Sequence, residues 1–435
     1  MKRKLYEKLL NWKDDKRRKP LLLTGARQVG KTYLLREFGA NEFDDVLYLN
    51  FDSEKERLES FFDGSITPAS IIAKLETTYK KTIDPANTLI IFDEVQEIPR
   101  ALTSLKYFCE DAPEYHVAAS GSFLGIALHK GTSFPVGKVD LLELAPLTFE
   151  EFLIATDHEH FLKAIDDETT LAAISDEMEL LFKEYLIIGG MPEAVASWLT
   201  DRNYERIDAI HDSILSAYWG DISKHVDITT ATRIHQVWES LPAQFAKRNE
   251  KFMFNVIKDG ARAREYELAV QWLIDCKFVR RVERLTTGDK LPLKAYADLS
   301  AFKLYSLDVG LLRRMAGVSN EMVLNDEKLF KEFNGLFVEQ FVLQQLADKC
   351  ALYYWTSSST AEVDFVTEIN SKIVPIEVKS GTNVKAKSLR VFRDLYSPEL
   401  AVRFSLRPLK YDDGLLNLPI YLAGIKNLSE KKLQK

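Results

Sequence analysis

The sequence has few of the features that mark secreted, membrane-spanning or zinc-binding proteins. Its 435 residues include only three cysteines, Cys109, Cys276 and Cys350, which lie far apart and form no C-x-x-C pair. Isolated cysteines argue against a disulfide framework and fit reduced thiols. No run of about 18 apolar residues is present, so no membrane span is predicted. The basic N-terminal stretch lacks the apolar segment of a secretory signal, and we expect a cytoplasmic protein.

Excess positive charge and internal repeats are also missing. The formal net charge of −7 excludes a globally basic nucleic-acid binder but leaves room for a local basic face. The histidines follow neither H-E-x-x-H nor a cysteine–histidine ligand spacing, so His211, His225 and His235 are predicted to be structural. The length predicts about three globular domains.

The strongest motif that is present lies between an apolar strand at 21–23 and a helix predicted to open at Lys31. Residues 25–32 fit the phosphate-loop pattern G-x-x-x-x-G-K-[ST]. Glycines let backbone N–H groups turn toward a phosphate, and the helix N-terminus adds partial positive charge. Lys31 is predicted to contact the β- and γ-phosphates of ATP, and Thr32 to ligate Mg²⁺. The flanking strand and helix argue against a chance match in a surface loop. The predicted nucleotide-binding residues of this loop are Gly25, Ala26, Arg27, Gln28, Val29, Gly30, Lys31 and Thr32.

A pair of carboxylates follows the strand predicted at 88–92. Four consecutive apolar residues, 89–92, indicate a strand covered on both faces, as in a parallel sheet. It ends in Asp93 and Glu94, where an open α/β sheet places its ligand site. Asp93 is predicted to hold Mg²⁺ and Glu94 to polarise the attacking water, which favours ATP hydrolysis. The alternative is that both carboxylates only cap the next helix.

Besides a second strand predicted at 45–51, two further strands complete the predicted first domain, residues 1–150. One, at 115–120, ends in Ser120, whose hydroxyl is predicted to contact the γ-phosphate or to cap a helix, two roles that are compatible. The other is predicted at 138–144. Because strands and helices alternate, the predicted fold is α/β, a doubly wound parallel sheet of the P-loop NTPase class.

An ordered set of motifs spans nearly the whole chain: GARQVGKT, LIIFDEVQ, AASGSFLG, VGKVDLLELAPLTFEEFL, YLIIGGMPEAV, AFKLYSLDVGLL and EVDFVTE…PIEVKSG. This set resembles the bacterial and archaeal AAA-type ATPases that carry a C-terminal DUF4143 domain. The resemblance implies ATP binding, hydrolysis and a nuclease-like C-terminal fold. Many relatives have Gly-Arg before the fifth strand, where this chain has Gly137-Lys138, and lysine cannot make the forked contact of arginine. Other candidates for an arginine that assists hydrolysis, within one subunit or across an oligomer, are Arg27, Arg100 and Arg233.

The middle of the chain is predicted to be helical and then winged-helix-like. Residues 151–230 indicate a helical lid, and residues 231–300 show helix, helix and hairpin, the order of a winged helix-turn-helix. This second segment is locally basic, which favours contact with the phosphate backbone of DNA; a packing module with a solvated basic face is the other interpretation. The basic positions are Lys247, Arg248, Lys251, Lys258, Arg262, Arg264, Lys277, Arg280, Arg281 and Arg284.

Residues 301–435 are predicted to form a small α/β domain that contains an acidic hairpin. Two alternating strands flank a tight turn at Asn370-Ser371, which pairs Asp364 with Glu377. Period two then puts Lys379 on the same face.

This D…E-x-K set resembles the core of the restriction-endonuclease-like nucleases. There the acids bind Mg²⁺ and the lysine orients the attacking water. The predicted metal ligands are Glu339, Asp364 and Glu377, with Lys379 catalytic; the alternative is an exposed edge strand that carries charge. Two hypotheses stay open: an ATP-driven protein acting on DNA, and a nucleotide-controlled switch whose inactive nuclease-like domain binds a protein partner.

Overall fold

The computed structural model describes residues 1–122, 135–246, 251–325, 327–358, 360–381 and 387–428. Residues 123–125 of the motif AASGSFLG, Lys247, Arg248 and the side chain of His225 lie outside the described residues. The chain divides into two compact units. The first comprises Met1–Ala145 with Asp275–Phe278, and the second comprises Pro146–Ile274 with Val279–Lys435.

A five-stranded parallel sheet forms the centre of the first unit, in the order β2-β3-β4-β1-β5. This confirms the predicted parallel α/β sheet. Its strands are β1 (Leu21–Thr24), β2 (Asp45–Asn50), β3 (Thr88–Asp93), β4 (His116–Ser120) and β5 (Asp140–Glu143). The helices are α1 (Leu5–Asp14), α2 (Lys31–Glu42), α3 (Lys55–Glu59), α4 (Pro68–Tyr79) and α5 (Pro99–Asp111), with short 3₁₀ turns at Ser60–Phe62 and Val95–Glu97.

The central strands are buried on both faces. All six residues of β3 are buried, as its run of apolar residues predicts. The aromatic rings of Phe51, Phe62 and Phe92 meet on one side of the sheet with centroids 5.3 to 5.9 Å apart. Because β3, β4 and β1 are adjacent and parallel, their carboxyl ends meet at one edge of the sheet, and polar residues concentrate there.

The second unit begins with helices. They are α6 (Phe149–Ala155), α7 (Glu159–Ala164), α8 (Glu168–Ala173), α9 (Ser175–Ile188), α10 (Pro192–Asp201), α11 (Tyr204–His225), α12 (Ile228–Ala246), α13 (Phe254–Ile257) and α14 (Ala263–Asp275). Later in the chain come α15 (Val309–Met315), α16 (Asn320–Asn325), α17 (Glu327–Leu346) and α18 (Lys387–Tyr396), with 3₁₀ turns at Leu293–Tyr296 and Ile420–Leu422. No helix within the described residues is both long and apolar enough to cross a membrane.

An eight-stranded mixed sheet completes the second unit, in the order β12-β13-β11-β10-β9-β8-β6-β7. Its strands are β6 (Val279–Leu285), β7 (Ala297–Ser306), β8 (Tyr353–Thr356), β9 (Glu362–Ile369), β10 (Lys372–Val378), β11 (Ala401–Ser405), β12 (Lys410–Asp412) and β13 (Leu415–Pro419).

The hairpin of the predicted winged-helix segment is part of this eight-stranded sheet. Helices and a hairpin occur in the predicted order, but β6 pairs with β8 as well as with β7. The hairpin is therefore the end of a larger sheet rather than a free wing, and strands from the predicted segments 231–300 and 301–435 pair with each other. The winged-helix assignment and the domain limits remain predictions.

The acidic hairpin has the predicted register. Lys372 pairs with Ile369 and Ile376 pairs with Phe365, so the turn consists of Asn370 and Ser371. Both turn residues have positive φ, 51° and 60°, as a two-residue type I′ turn requires.

Candidate functional site

The phosphate loop, residues 25–32, has the backbone that its glycines allow. Gly25 and Gly30 have φ of 145° and 94°, values that glycine adopts without strain. A Cβ added to Gly25 would lie 2.2 Å from the carbonyl oxygen of Leu144, so only glycine fits there. The sequence of this loop therefore sets its geometry directly.

Lys31 opens α2 and is directed into the loop. Its side chain is buried, and its Nζ donates to the carbonyl oxygens of Gly25 and Ala26 at 3.0 and 2.8 Å and to Ser122 Oγ at 2.9 Å. Burial lowers the pKa of Lys31 to about 8, although the carboxylates of Glu94 and Asp93 oppose this shift. A buried ammonium held mostly by neutral oxygens is well placed to attract a phosphate.

Asp93, at the carboxyl end of β3, accepts hydrogen bonds from three hydroxyl groups. Thr32 Oγ1 and Tyr48 OH donate to Oδ2 at 2.8 and 2.7 Å, and Ser120 Oγ donates to Oδ1. Burial, followed by the hydrogen bond to Asp93, raises the pKa of Tyr48 to about 12. A threonine hydroxyl beside one carboxylate suits Mg²⁺, which takes one or two carboxylates in addition to phosphate oxygens and water.

Glu94 has a backbone conformation that is rare for a residue with a side chain. Its φ of 53° and ψ of 49° lie in the left-handed region, and such strain concentrates at functional positions. The carboxylate accepts from Ser122 Oγ at 3.2 Å and from Gln96 Nε2 at 2.7 Å. Ser122 thus contacts both Lys31 and Glu94.

Sequence reasoning missed two residues of this site, Ser122 and Tyr48. It assigned the hydroxyl after β4 to Ser120, which is fully buried against Asp93, whereas Ser122 contacts the lysine and the glutamate. The pattern Ser-Gly-Ser contains both serines, but the sequence does not show which of them is the last residue of the strand and which follows it. Tyr48 follows from no motif. The nucleotide-binding and catalytic roles of all these residues remain predictions.

Of the candidates for an assisting cation, Arg27 lies in the phosphate loop itself, and burial, followed by the charge of Arg27, lowers the pKa of Lys31. Lys138 precedes β5 and so lies at the amino ends of the parallel strands, whereas the phosphate loop lies at their carboxyl ends. It pairs with Glu110 at 2.9 Å. Arg100 donates to the carbonyl oxygens of Phe62 and Gly64, at 2.6 and 2.5 Å. Within one subunit, neither residue is therefore placed at Lys31. Arg233 is exposed on α12 of the second unit.

A second polar site, the acidic cluster, lies in the second unit on β7, β9, β10 and α17. Asp364 and Glu377 are buried on one face of the hairpin, and Asp364 Oδ2 accepts from the backbone N–H of Val378 at 2.6 Å. Glu377 Oε1 pairs with Lys379. The structure therefore brings the predicted D…E-x-K residues together. The cluster comprises Glu339, Glu362, Asp364 and Glu377 with the lysines Lys303 and Lys379.

Charge in the acidic cluster is only partly balanced. Glu339, half-buried on α17, accepts from Tyr305 OH at 3.4 Å, and Lys303 pairs with Glu362. Burial, followed by the charge of Asp364, raises the pKa values of Glu339 and Glu377 to about 8. The Oε2 atom of Glu377 is buried and lacks a hydrogen-bond partner within the described residues.

The described carboxylates of the acidic cluster do not form a metal-ligand set. Within the described ranges, no three His, Cys, Asp or Glu side chains are grouped so that they could hold a metal ion together. The predicted trio of Glu339, Asp364 and Glu377 is therefore close enough for mutual electrostatic effects but is not arranged as a ligand set. The lysine pair of Glu377 accounts for part of this difference, because it occupies one carboxylate oxygen.

The basic residues of the hairpin β6–β7 are largely neutralised. Arg280 pairs with Asp348 at 3.0 Å, and Arg284 pairs with Asp298 at 2.7 Å. Arg281 pairs with Glu283 at 3.2 Å. The predicted positive face is therefore weaker on this hairpin than the sequence indicates.

Comparison with known proteins adds family information at this point. Residues 17–153 match an AAA domain. Residues 179–322 match the domain of unknown function DUF8612, and residues 334–422 match the domain of unknown function DUF4143. These matches confirm the predicted combination of an AAA domain with a C-terminal DUF4143 domain.

Individual relatives are distant or partial. Two uncharacterized proteins, from Mycobacterium bovis and Mycobacterium tuberculosis, are 34% identical over 106 residues, which is 23% of this chain and 23% of theirs. This chain therefore covers 23% of the length of those curated relatives. A Walker-type ATPase of Pyrococcus abyssi is similar over 71% of this chain and 94% of its own, with 14% identity and a TM-score of 0.44.

Proposed function

This chain carries an AAA domain followed by the DUF8612 and DUF4143 domains, and on that premise we propose that it binds ATP with Mg²⁺ and hydrolyses the γ-phosphate. One observation carries the proposal. The hydroxyl of Ser122 connects the phosphate-loop lysine, Lys31, to Glu94, at the sheet edge where Asp93 meets Thr32. The proposed phosphate-binding cation and base thus share one hydroxyl, and the proposed magnesium-binding pair, joined by its own hydrogen bond, lies at the same sheet edge.

Each residue then has a chemical task. Lys31 exchanges its two loop carbonyl oxygens for phosphate oxygens and so neutralises charge that develops on them. Thr32 and Asp93 would hold Mg²⁺, which, when bound, neutralises charge on the phosphates. Glu94 accepts a proton from the attacking water, and Ser122 keeps its carboxylate oriented.

Phosphate release in the presence of Mg²⁺ tests the activity. We expect turnover by the parent chain, abolition by EDTA and a strong decrease for Glu94→Gln. Glu97→Gln is the matched control, because Glu97 only pairs with Lys55 at 3.2 Å on the surface. Equal turnover by the Glu94 variant and the parent would remove Glu94 from the proposed role.

We also propose that nucleotide state controls the second unit. The short segment Asp275–Phe278 belongs to the first unit, although the chain on both sides of it belongs to the second. Lys277 in this segment pairs at 2.7 Å with Glu143, which precedes Leu144, the residue that packs on Gly25 of the phosphate loop. A change at the loop thus has a short physical path to α14 and β6.

Charge reversal tests this path. Lys277→Glu should weaken any effect of ATP on the second unit, and the double change with Glu143→Lys should restore it. Since the pair is partly exposed, the expected effect is small, roughly twofold to fivefold. Hydrogen exchange of β6 with and without ATP is the readout, and identical responses of the parent and the single variant would contradict the proposal.

For the acidic cluster we propose a nuclease-like site that acts on DNA. The supporting observation is that Asp364, Glu377 and Lys379 share one face of a hairpin with the predicted register. Cleavage of plasmid and linear DNA with Mg²⁺ or Mn²⁺ should be lost in Asp364→Ala and Lys379→Ala. Glu368→Ala, an exposed change on the same strand, is the control. Cleavage that survives the first two changes would rule out this site.

Two observations favour a second candidate, a nucleotide-controlled switch that binds a protein partner without cutting. Glu377 pairs with Lys379, and no group of three potential metal ligands is formed within the described residues. The arginines of the hairpin β6–β7 are paired with acids, so they offer no free basic face among the residues that the structure describes. Retention on DNA at low salt and stimulation of ATP turnover by DNA would favour the first candidate. Absence of both would favour the second.

A further inference from the structure

A cavity of about 470 Å³ in the helical part of the second unit has no role in the proposed function. It lies between α11, α12 and the end of α15. Its size is that of a small-molecule site. The described residues that line it are Leu215, Ser216, Trp219, Trp238, Glu239 and Met315.

The described lining residues combine aromatic rings with one carboxylate, and none of them is cationic. Glu239 is exposed, and no described residue donates a hydrogen bond to it or forms an ion pair with it. The two arginines that precede Met315 are already neutralised, since Arg313 pairs with Asp208 and Arg314 with Asp212. Within the described part of the chain, the negative charge of this cavity is therefore uncompensated.

Both tryptophans are held in place by neighbouring rings. Trp219 stacks on His235 with centroids 3.5 Å apart, and Trp238 meets Tyr218 edge-on at 6.3 Å. Burial lowers the pKa of His235 and so favours the neutral form of the ring behind Trp219. Trp219 nonetheless remains 43% exposed, which is unusual for a large aromatic side chain supported in this way.

We propose that this cavity binds an organic cation of the alkylammonium class. Tryptophan faces attract such cations through their ring electrons, most strongly when the cation is weakly hydrated. The Glu239 carboxylate supplies the complementary charge, while Leu215 and Met315 accommodate the alkyl groups. The proposal is independent of ATP hydrolysis and of the acidic cluster.

Ligand-detected NMR on the full chain tests this site, with choline as the probe and its neutral isostere 3,3-dimethylbutan-1-ol as the comparison. Choline should show saturation transfer and the alcohol should show much less. Trp219→Leu should weaken choline binding by about tenfold, with partial rescue in Trp219→Phe. Glu239→Gln should weaken it roughly threefold to fivefold, because the carboxylate is exposed.

The control is Glu205→Gln, an exposed carboxylate near the start of α11, which should leave binding unchanged. Nα-acetyl-lysine amide is measured in parallel as a mimic of a protein lysine. Tighter binding of this compound than of choline would indicate a lysine side chain as the ligand, and tighter binding of choline would indicate a free quaternary ammonium. Equal transfer to choline and its neutral isostere would overturn the proposal, as would no binding of either cation. Circular dichroism checks that each variant is folded. If Trp219→Leu does not fold, Glu239→Gln and Trp219→Phe still test the proposal.

Discussion

The phosphate loop holds a buried lysine near carboxylates and the acidic cluster holds a half-buried one, but the resulting pKa shifts have opposite signs. Burial lowers the pKa of Lys31 to about 8 because most of its hydrogen-bond partners are neutral oxygens. Burial also disfavours the charge of Lys379, but Asp364 and Glu377 outweigh it and raise its pKa. The same residue type is therefore short of negative charge in one site and surrounded by it in the other.

This difference predicts opposite ligands for the two sites. The phosphate loop has a cation and several N–H groups to offer, which suits an anion such as a triphosphate. The acidic cluster has four carboxylates and two lysines, and burial, followed by the charge of Asp364, raises the pKa values of Glu339 and Glu377. The cluster favours a proton, a metal ion or another cation. Three sets of measurements, from the largest expected effect to the smallest, test this account of the two sites.

The largest effect should come from Glu94→Gln. Removing the base while keeping its shape should lower ATP turnover by about 10²–10⁴-fold, the range of general base catalysis. The affinity for ATP should stay within about threefold, since Glu94 contacts Ser122 and Gln96 rather than the loop backbone. Single-turnover phosphate release together with equilibrium ATP binding separates the two quantities. A variant that loses binding and turnover equally would show that Glu94 supports the loop instead.

A smaller effect is expected from the two serines after β4. Ser122→Ala should lower kcat by about tenfold, because it releases both Lys31 and Glu94 from one hydroxyl. Ser120→Ala should mainly lower the free energy of unfolding, by ~1–2 kcal/mol, because its buried hydroxyl serves Asp93. Steady-state kinetics and thermal unfolding of both variants provide the comparison. If Ser120→Ala has the larger effect on kcat, the original assignment of Ser120 is right and that of Ser122 is wrong.

The smallest effect should appear as a pH dependence of local stability. The pKa of Glu377 rises from its ordinary 4.5 to about 8 in the folded chain. The contribution of this shift to the free energy of unfolding is therefore fully present below pH 4.5 and is lost as the pH rises through 8. Lys31 behaves oppositely, because its lowered pKa means that the unfolded chain binds more protons between about pH 8 and its ordinary 10.5.

Hydrogen exchange of the full chain, corrected for intrinsic rates, measures these slopes locally. Protection of β9 and β10 should decrease from pH 6 to pH 9 by roughly 1 kcal/mol or more, and Glu377→Gln should flatten this decrease. Protection of β1 and α2 should increase between pH 8 and 10. Parallel slopes in the two regions would contradict the proposed charge difference.

A feature of this structure could be predicted from the sequence when the residues that determine it are close together in the chain. The phosphate loop is contiguous, and its backbone follows from Gly25, Gly30 and the helix that begins at Lys31, so its geometry is predictable. The hairpin register is equally local, since the turn Asn370-Ser371 determines which residues face each other. The parallel arrangement of the first sheet follows from the alternation of strands and helices.

The features that were missed depend on contacts distant in sequence. Lys303 enters the acidic cluster from β7, about 60 residues before Glu362, and nothing in its neighbourhood indicates this pairing. The joining of β6 to β8 likewise depends on sheet assembly rather than on local pattern. Neutralisation of Arg280 by Asp348 is of the same kind, which is why the basic character of the hairpin was overestimated.

The central claim, that the phosphate loop is the anion site, is tested most directly by isothermal titration calorimetry with a non-hydrolysable ATP analogue and Mg²⁺. The parent chain and Lys379→Ala should bind one analogue per chain with the same affinity. Lys31→Ala should bind about 30- to 150-fold more weakly, the loss expected for charge-assisted hydrogen bonds of ~2–3 kcal/mol. No binding by the folded parent chain, or equal binding by Lys31→Ala, would contradict the account.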